Sequence, residues 1–148
     1  MPTIKAILAS QRPLYHVSAD SLVLDAVKKM VEHNVGALPV LDGDRLVGVF
    51  SERDLMRQVI VRGLDPSKVK VASVMSANLI TADINDDHKT CLQKMRNGKC
   101  RHLPVIDQNK LVAFLSARDL MNAEVEGKDI EIKSLTDMIY YVPPKSDR

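Results

Sequence analysis

Apolar and polar residues alternate along this chain with two different periods, and the switch between them follows a set order. In "DSLVLDAVKKMVEH", Leu22, Ala26, Val27, Met30 and Val31 fall on one stripe at helical spacing, with Asp20 or Ser21 placed to cap the first turn. That pattern predicts an amphipathic helix. The runs "ALPVL" and "RLVGVF" are short, Val-rich and joined by Asp42-Gly43-Asp44, a turn signal that predicts an antiparallel hairpin. "SERDLMRQVIVRG" then opens on a capping-box pattern, places Leu55, Val59 and Ile60 at helical spacing and stops at Gly63. Apolar pieces before the helices, "LYHV" and "NLITA", add one strand each. The predicted unit is a small three-stranded sheet with helices on one face.

The order occurs twice. "LPVLDGDRLVGVFSERDLM" from Leu38 returns as "LPVIDQNKLVAFLSARDLM" from Leu103, offset by 65 residues, with eleven of nineteen positions identical. The offset also pairs Lys29 with Lys94 and Met30 with Met95, so the duplicated unit includes the preceding helix. One unit buries too little to stand alone, so the two are expected to pair through their sheets with pseudo-twofold symmetry. The fold class is α+β, two tandem βαββα units. The expected division is a first repeat over 1–65, a second over 66–128, and a C-terminal helix and tail over 129–148, "DIEIKSLTDMIYY" ending at Pro143-Pro144. Gly63 and Pro66 break the chain at the join before "VASVM" begins a short new helix.

Composition narrows the classes. With 148 residues, 45% of them hydrophobic, the chain suffices for one compact core. A net charge of +2 advertises neither nucleic acid nor an anionic membrane, so any anion site is local. No apolar run approaches the roughly 18 residues that span a bilayer, and "MPTIKAILAS" lacks a secretion-signal core, so the chain is expected in the cytoplasm. Cys91 and Cys100 form neither a CxxC pair nor a metal-ligand cluster. Aromatic residues amount to 3% with no Trp, which argues against base-stacking platforms.

Ser-x-Arg-Asp, at Ser51 to Asp54 and again at Ser116 to Asp119, is the feature that calls for chemistry. One reading is a cap, with Ser accepting a free backbone N–H and Asp favoured at the positive helix end. Arg53 and Arg118 fit that reading less well, since a cation in the first turn costs about 0.3–1 kcal/mol against the macrodipole. Two partners answer the objection. A surface ion pair with Glu52 or Asp54 is one. The other is a ribose phosphate, its phosphate at the helix N-terminus beside Ser and Arg and its ribose hydroxyls on Asp.

An apolar-Pro-Val-apolar-Asp strand, a hairpin, an apolar strand and Ser-x-x-Asp opening a helix, twice over, resemble a tandem pair of CBS domains, the family named after cystathionine β-synthase. The resemblance covers nearly the whole chain. It implies two βαββα units packed through their sheets, assembly as a homodimer, and adenosine-containing ligands in the clefts between units. It also implies that Asp54 and Asp119 hold riboses and that Ser51, Arg53, Ser116 and Arg118 face phosphates. The adenine would lie against Tyr15, Val35, Gly36 and Ala37 in the Asp119 cleft, and against Ile80, Cys100 and Arg101 in the Asp54 cleft. Arg101 and His102 stand where similar modules present basic residues to phosphate, whereas the first repeat has Gly36 and Ala37 there, so the Asp119 cleft is expected to bind phosphate more tightly. AMP, ADP or ATP is the implied regulatory ligand, with NAD or S-adenosylmethionine taken by other modules of the family; no cofactor is implied.

The remaining residues carry bland readings. Cys100 and His102 share a face but lack an oxyanion hole or an orienting acid, so no catalysis is expected. Cys91 lies on an apolar helical stripe, and His16, His33 and His88 show no metal spacing. "DINDDH" lacks the glycine and terminal glutamate of a calcium loop and is expected to cap the helix near His88. Arg62, Lys68 and Lys70 belong to a solvated linker, and the methionines, Met30, Met56, Met75, Met95, Met121 and Met138, to apolar helix faces. The expected function is a non-enzymatic adenine-nucleotide sensor that signals to a partner protein, without contact to nucleic acid or membrane. The alternative is a dimeric protein-interaction module with vestigial clefts.

Overall fold

The structure, a computed structural model, describes residues 3–5 and 13–125, with side chains as far as 121; the helix expected in 129–148 lies outside the described residues. In the first repeat, β1 (Val17–Ser18) leads to helix α1 (Val23–His33), which buries Val23, Ala26 and Met30 on its inner face. The cap expected from Asp20 or Ser21 does not form. Leu22 is the N-cap and offers no side-chain oxygen. Carbonyls of the join take over instead, as Val23 N–H reaches Val69 O at 2.8 Å and Leu24 N–H reaches Pro66 O at 2.9 Å. The helix ends on Asn34, left-handed at φ 54°, a conformation that Asn tolerates better than most residues.

Strands β2 (Ala37–Asp42) and β3 (Arg45–Ser51) form the expected hairpin, with Ala37 facing Ser51 and Asp42 facing Arg45. Gly43 takes φ 62° at the tight turn, which glycine adopts without a steric cost. β1 lies parallel beside β2, pairing Val17 with Val40, so the sheet runs β1-β2-β3. Helix α2 (Glu52–Asp54) continues as one stretch of π-helix over Leu55–Ile60. The wider winding buries Val59 and turns Ile60 out to 57% exposure, against the inward stripe expected from its spacing.

The strands and helices recur 65 residues on as β4 (Ala82–Asp83), α3 (His88–Gly98), β5 (His102–Asp107), β6 (Lys110–Ser116) and α4 (Ala117–Val125), the last winding as an α-helix where the first repeat turns into a π-helix. The second sheet runs β4-β5-β6 with the same register, and the irregularity between Val40 and Leu41 returns between Val105 and Ile106. Asp87 caps α3 by accepting Thr90 N–H at 2.8 Å, as "DINDDH" led one to expect. Asp86 pairs with Lys94 at 2.8 Å. The two sheets meet along β3 and β6, giving the α+β pair related by a pseudo-twofold axis.

The cores exchange their edges. Val71 is fully buried in the first repeat's core, with Val69 packed against it, and Val71 N–H bonds to Ser21 O at 2.8 Å. Ile4, its side chain fully buried, sits instead in the second repeat's core, its N–H reaching Asp86 O at 3.2 Å. Residues numbered with one repeat therefore complete the other, and the single 3-10 turn Val71–Ser73 stands where "VASVM" predicted a short helix. Cys91 is a core residue, and burial pushes its thiol up to about 12.

Candidate functional site

Both copies of Ser-x-Arg-Asp build the cap that the sequence allows. Ser51, extended at the end of β3, accepts Asp54 N–H at 3.2 Å, while Asp54 Oδ2 accepts Ser51 N–H at 2.9 Å and its hydroxyl at 3.0 Å. Ser116 and Asp119 repeat the exchange at 3.0 and 2.9 Å. The copies differ in the other carboxylate oxygen. Asp54 Oδ1 accepts the Ser76 hydroxyl at 2.9 Å, because the chain leaving the join pairs Ser76 with Val49 on the edge of β3. Among the described residues, Asp119 Oδ1 accepts no hydrogen bond.

Neither Arg53 nor Arg118 makes an ion pair among the described residues, so the surface-pair explanation fails for both. Arg118 borders a cavity of about 780 Å³ together with Ser116 and Asp119. Tyr15, Val35, Gly36 and Ala37 form its other wall, contributed by the first repeat. A volume of this size falls in the range of small-molecule sites. Arg101 and His102 border the same cavity, in line with the charge asymmetry expected between the clefts. Arg101 is drawn there because its carbonyl accepts Ala117 N–H at 2.8 Å, tying it to the start of α4.

Nine of the fourteen sequence-predicted residues thus share one cavity. Ser51, Arg53, Asp54, Ile80 and Cys100 lie outside it. Ile80 packs its Cδ1 over Gly98, with Cys100 Sγ 3.5 Å from where a β-carbon on residue 98 would sit. In the first repeat the equivalent residues are Tyr15 and His33, whose rings stack at 3.7 Å. The cavity also takes in Glu52, Asn34, Leu55 and Phe114, which sequence reasoning missed. Glu52 was visible only as the variable residue of the string, where the second copy has Ala117.

Electrostatics favour an anion that arrives from solution. His102 stacks on Phe114 at 5.2 Å, and its burial holds the imidazole pKa below the ordinary 6.5; Asp119 pulls it upward and Arg101 down. The ring is therefore neutral near pH 7, and an added negative charge would favour its protonation. Burial raises the Cys100 thiol, which keeps it protonated and a poor nucleophile beside that histidine.

Comparison with known proteins identifies the family. The CBS domain model matches residues 4–61 and 71–126. The mitochondrial CBS domain-containing protein CBSX3 of Arabidopsis thaliana is 34% identical over 127 residues, which is 82% of this chain and 62% of that relative's length. A solved CBS-domain protein of Burkholderia ambifaria superposes with a TM-score of 0.81 at 31% identity, covering 86% of this chain and 97% of the other. The CBS domain pair of protein MJ0100, solved in complex with 5'-methylthioadenosine and S-adenosyl-L-methionine, shares the fold at a TM-score of 0.75 and 22% identity, covering 86% of this chain and 98% of that one. The chain belongs to the CBS domain family, as a tandem pair. It spans less than two thirds, 62%, of the length of the Arabidopsis relative. Among the described residues no helix is long and apolar enough to cross a membrane.

Proposed function

We propose that this CBS pair is a non-enzymatic regulatory module that binds an adenosine-containing ligand between its repeats and passes occupancy to a partner protein. One observation carries the reading. Asp119, with a carboxylate oxygen left over from its capping role, shares a cavity with Arg101, Arg118 and His102 on one side and the apolar wall of Tyr15, Val35, Gly36 and Ala37 on the other. The ribose hydroxyls fall to Asp119, the phosphate to Ser116 and the cations, and the base to the apolar wall. AMP, ADP and ATP fit this division, and the ligands bound by the MJ0100 pair share their adenosine part. The Asp54 cleft is the weaker candidate, since Ser76 already engages the second oxygen of Asp54 and the first repeat has Gly36 and Ala37 where the second has Arg101 and His102.

A ligand touching both repeats favours whichever relative arrangement it binds better, which is how occupancy becomes a signal. Assembly as a homodimer belongs to the same proposal, supported by the exposed apolar side chains Met56, Ile60 and Val61 on one helical stretch. The second reading, an interaction module whose Ser-x-x-Asp strings serve only as caps, draws support from the complete capping exchange in both copies.

A thermal-shift panel with AMP, ADP, ATP, NAD and S-adenosylmethionine separates the two. At a hundredfold excess over Kd, a ligand of the folded state adds about 2.7 kcal/mol of stability. Stabilisation by at least one adenosine compound, absent with ribose or phosphate alone, is the expected result. A flat panel leaves the interaction module.

A further inference from the structure

Among the described residues, Glu52 is the one carboxylate besides Asp119 that borders the cavity, and it reaches there from the opposite repeat. Its position is fixed at two points. Its N–H donates to Gly36 O at 3.0 Å, and its carboxylate folds back across Gly36, with Oε1 3.5 Å and Oε2 3.7 Å from where a β-carbon would sit. The symmetry-related backbone pair in the second repeat is Arg101 and Ala117, joined by the same hydrogen bond at 2.8 Å. The equivalent pairs therefore carry opposite charges on different members, a carboxylate at the helix start in the first repeat and a guanidinium at the strand entry in the second, both bordering one space.

Glu52 makes no ion pair among the described residues. An unpaired carboxylate beside an anion site weakens binding by like-charge repulsion unless the ligand brings it a hydrogen-bond donor. Resting on the reading of this cavity as an adenosine site with the ribose on Asp119, the base faces Tyr15, Val35, Gly36, Ala37 and hence Glu52. We propose that Glu52 determines base specificity, accepting a hydrogen bond from the exocyclic amine at the purine 6 position. Adenine presents an N–H donor at that place. Hypoxanthine presents a carbonyl oxygen, which sets acceptor against acceptor, and a site built to receive a hydrogen discriminates against a ligand that lacks it.

The test is calorimetric titration of AMP and IMP into the full chain and into its Glu52→Gln and Glu52→Ala variants. The wild-type chain is expected to prefer AMP by about tenfold or more, the scale of one hydrogen bond together with the avoided oxygen-oxygen contact. Glu52→Gln keeps the shape and adds a donor, so IMP binding strengthens and the ratio falls toward unity. Glu52→Ala lowers it by weakening AMP. Binding of AMP that depends on Asp119, with an AMP to IMP ratio near unity in the wild-type chain or unchanged in both variants, overturns the role of Glu52 alone. Failure of both nucleotides to bind the wild-type chain overturns the cavity reading and this inference with it.

Discussion

Two aspartates in the same four-residue string carry different loads. Asp54 holds Ser51 through its N–H and hydroxyl and Ser76 through its hydroxyl, whereas Asp119 holds Ser116 alone. With a cap worth about 1 kcal/mol and a further side-chain hydrogen bond about the same, Asp54→Ala should cost about 2 kcal/mol in urea unfolding and Asp119→Ala about 1. Equal losses would remove the distinction. His102 sets a pH dependence of definite sign. Its folded pKa lies below the ordinary 6.5, so the unfolded chain takes up its proton first, and the associated stability is complete above about pH 6.5 and is lost as pH falls toward the depressed folded value. His102→Asn should flatten that segment of the stability curve, while a wild-type curve that rises on acidification from pH 7 would contradict the assignment. The capping exchange and the cation at the helix start were legible in the string itself. The Ser76 contact was not, because it depends on where the chain runs after the join, twenty-two residues away in sequence.

The order of elements and their 65-residue repeat were plain from periodicity, down to the hairpin turns, because amphipathic helices and Val-rich strands have different periods. What escaped the pattern was decided by tertiary contacts. Carbonyls of Pro66 and Val69 replaced a side-chain cap on α1, and winding into a π-helix turned Ile60 outward. Gly98 shows the same principle within an element. It is the last residue of α3, and the left-handed terminator is Lys99, at φ 52°. The glycine is there for Ile80, whose Cδ1 occupies the space that a β-carbon would need. Alanine in place of a helical glycine ordinarily stabilises by about 1 kcal/mol, but Gly98→Ala should destabilise by about 1–3 kcal/mol through overpacking. Ile80→Val removes the colliding methyl, so the double variant should be less destabilised than the two single changes added together; additive effects would show that the two residues do not meet.

At the scale of the molecule, each repeat depends on the other for its core, since Ile4 completes the second and Val71 the first. The cavity likewise belongs to neither repeat alone. Met56 at 58%, Ile60 at 57% and Val61 at 79% exposure leave an apolar stretch that a second copy would cover. Ile60→Glu should shift the chain from dimer to monomer in sedimentation velocity without loss of helical signal; a wild-type chain that is monomeric at tens of micromolar, about the range where weak dimers form, would exclude that assembly. The pairing of repeats was legible because a single unit buries too little. The cavity's membership was legible in part, as Arg101 and His102 stood out by charge, while Glu52 emerged only once the fold laid its side chain over Gly36. The central claim is that Asp119 holds the ribose of an adenosine ligand, and calorimetric titration of AMP into the wild-type, Asp119→Ala and Asp54→Ala chains tests it most directly. The account expects Asp119→Ala to lose about tenfold or more in affinity and Asp54→Ala to keep most of it. Undiminished AMP binding by Asp119→Ala would contradict it.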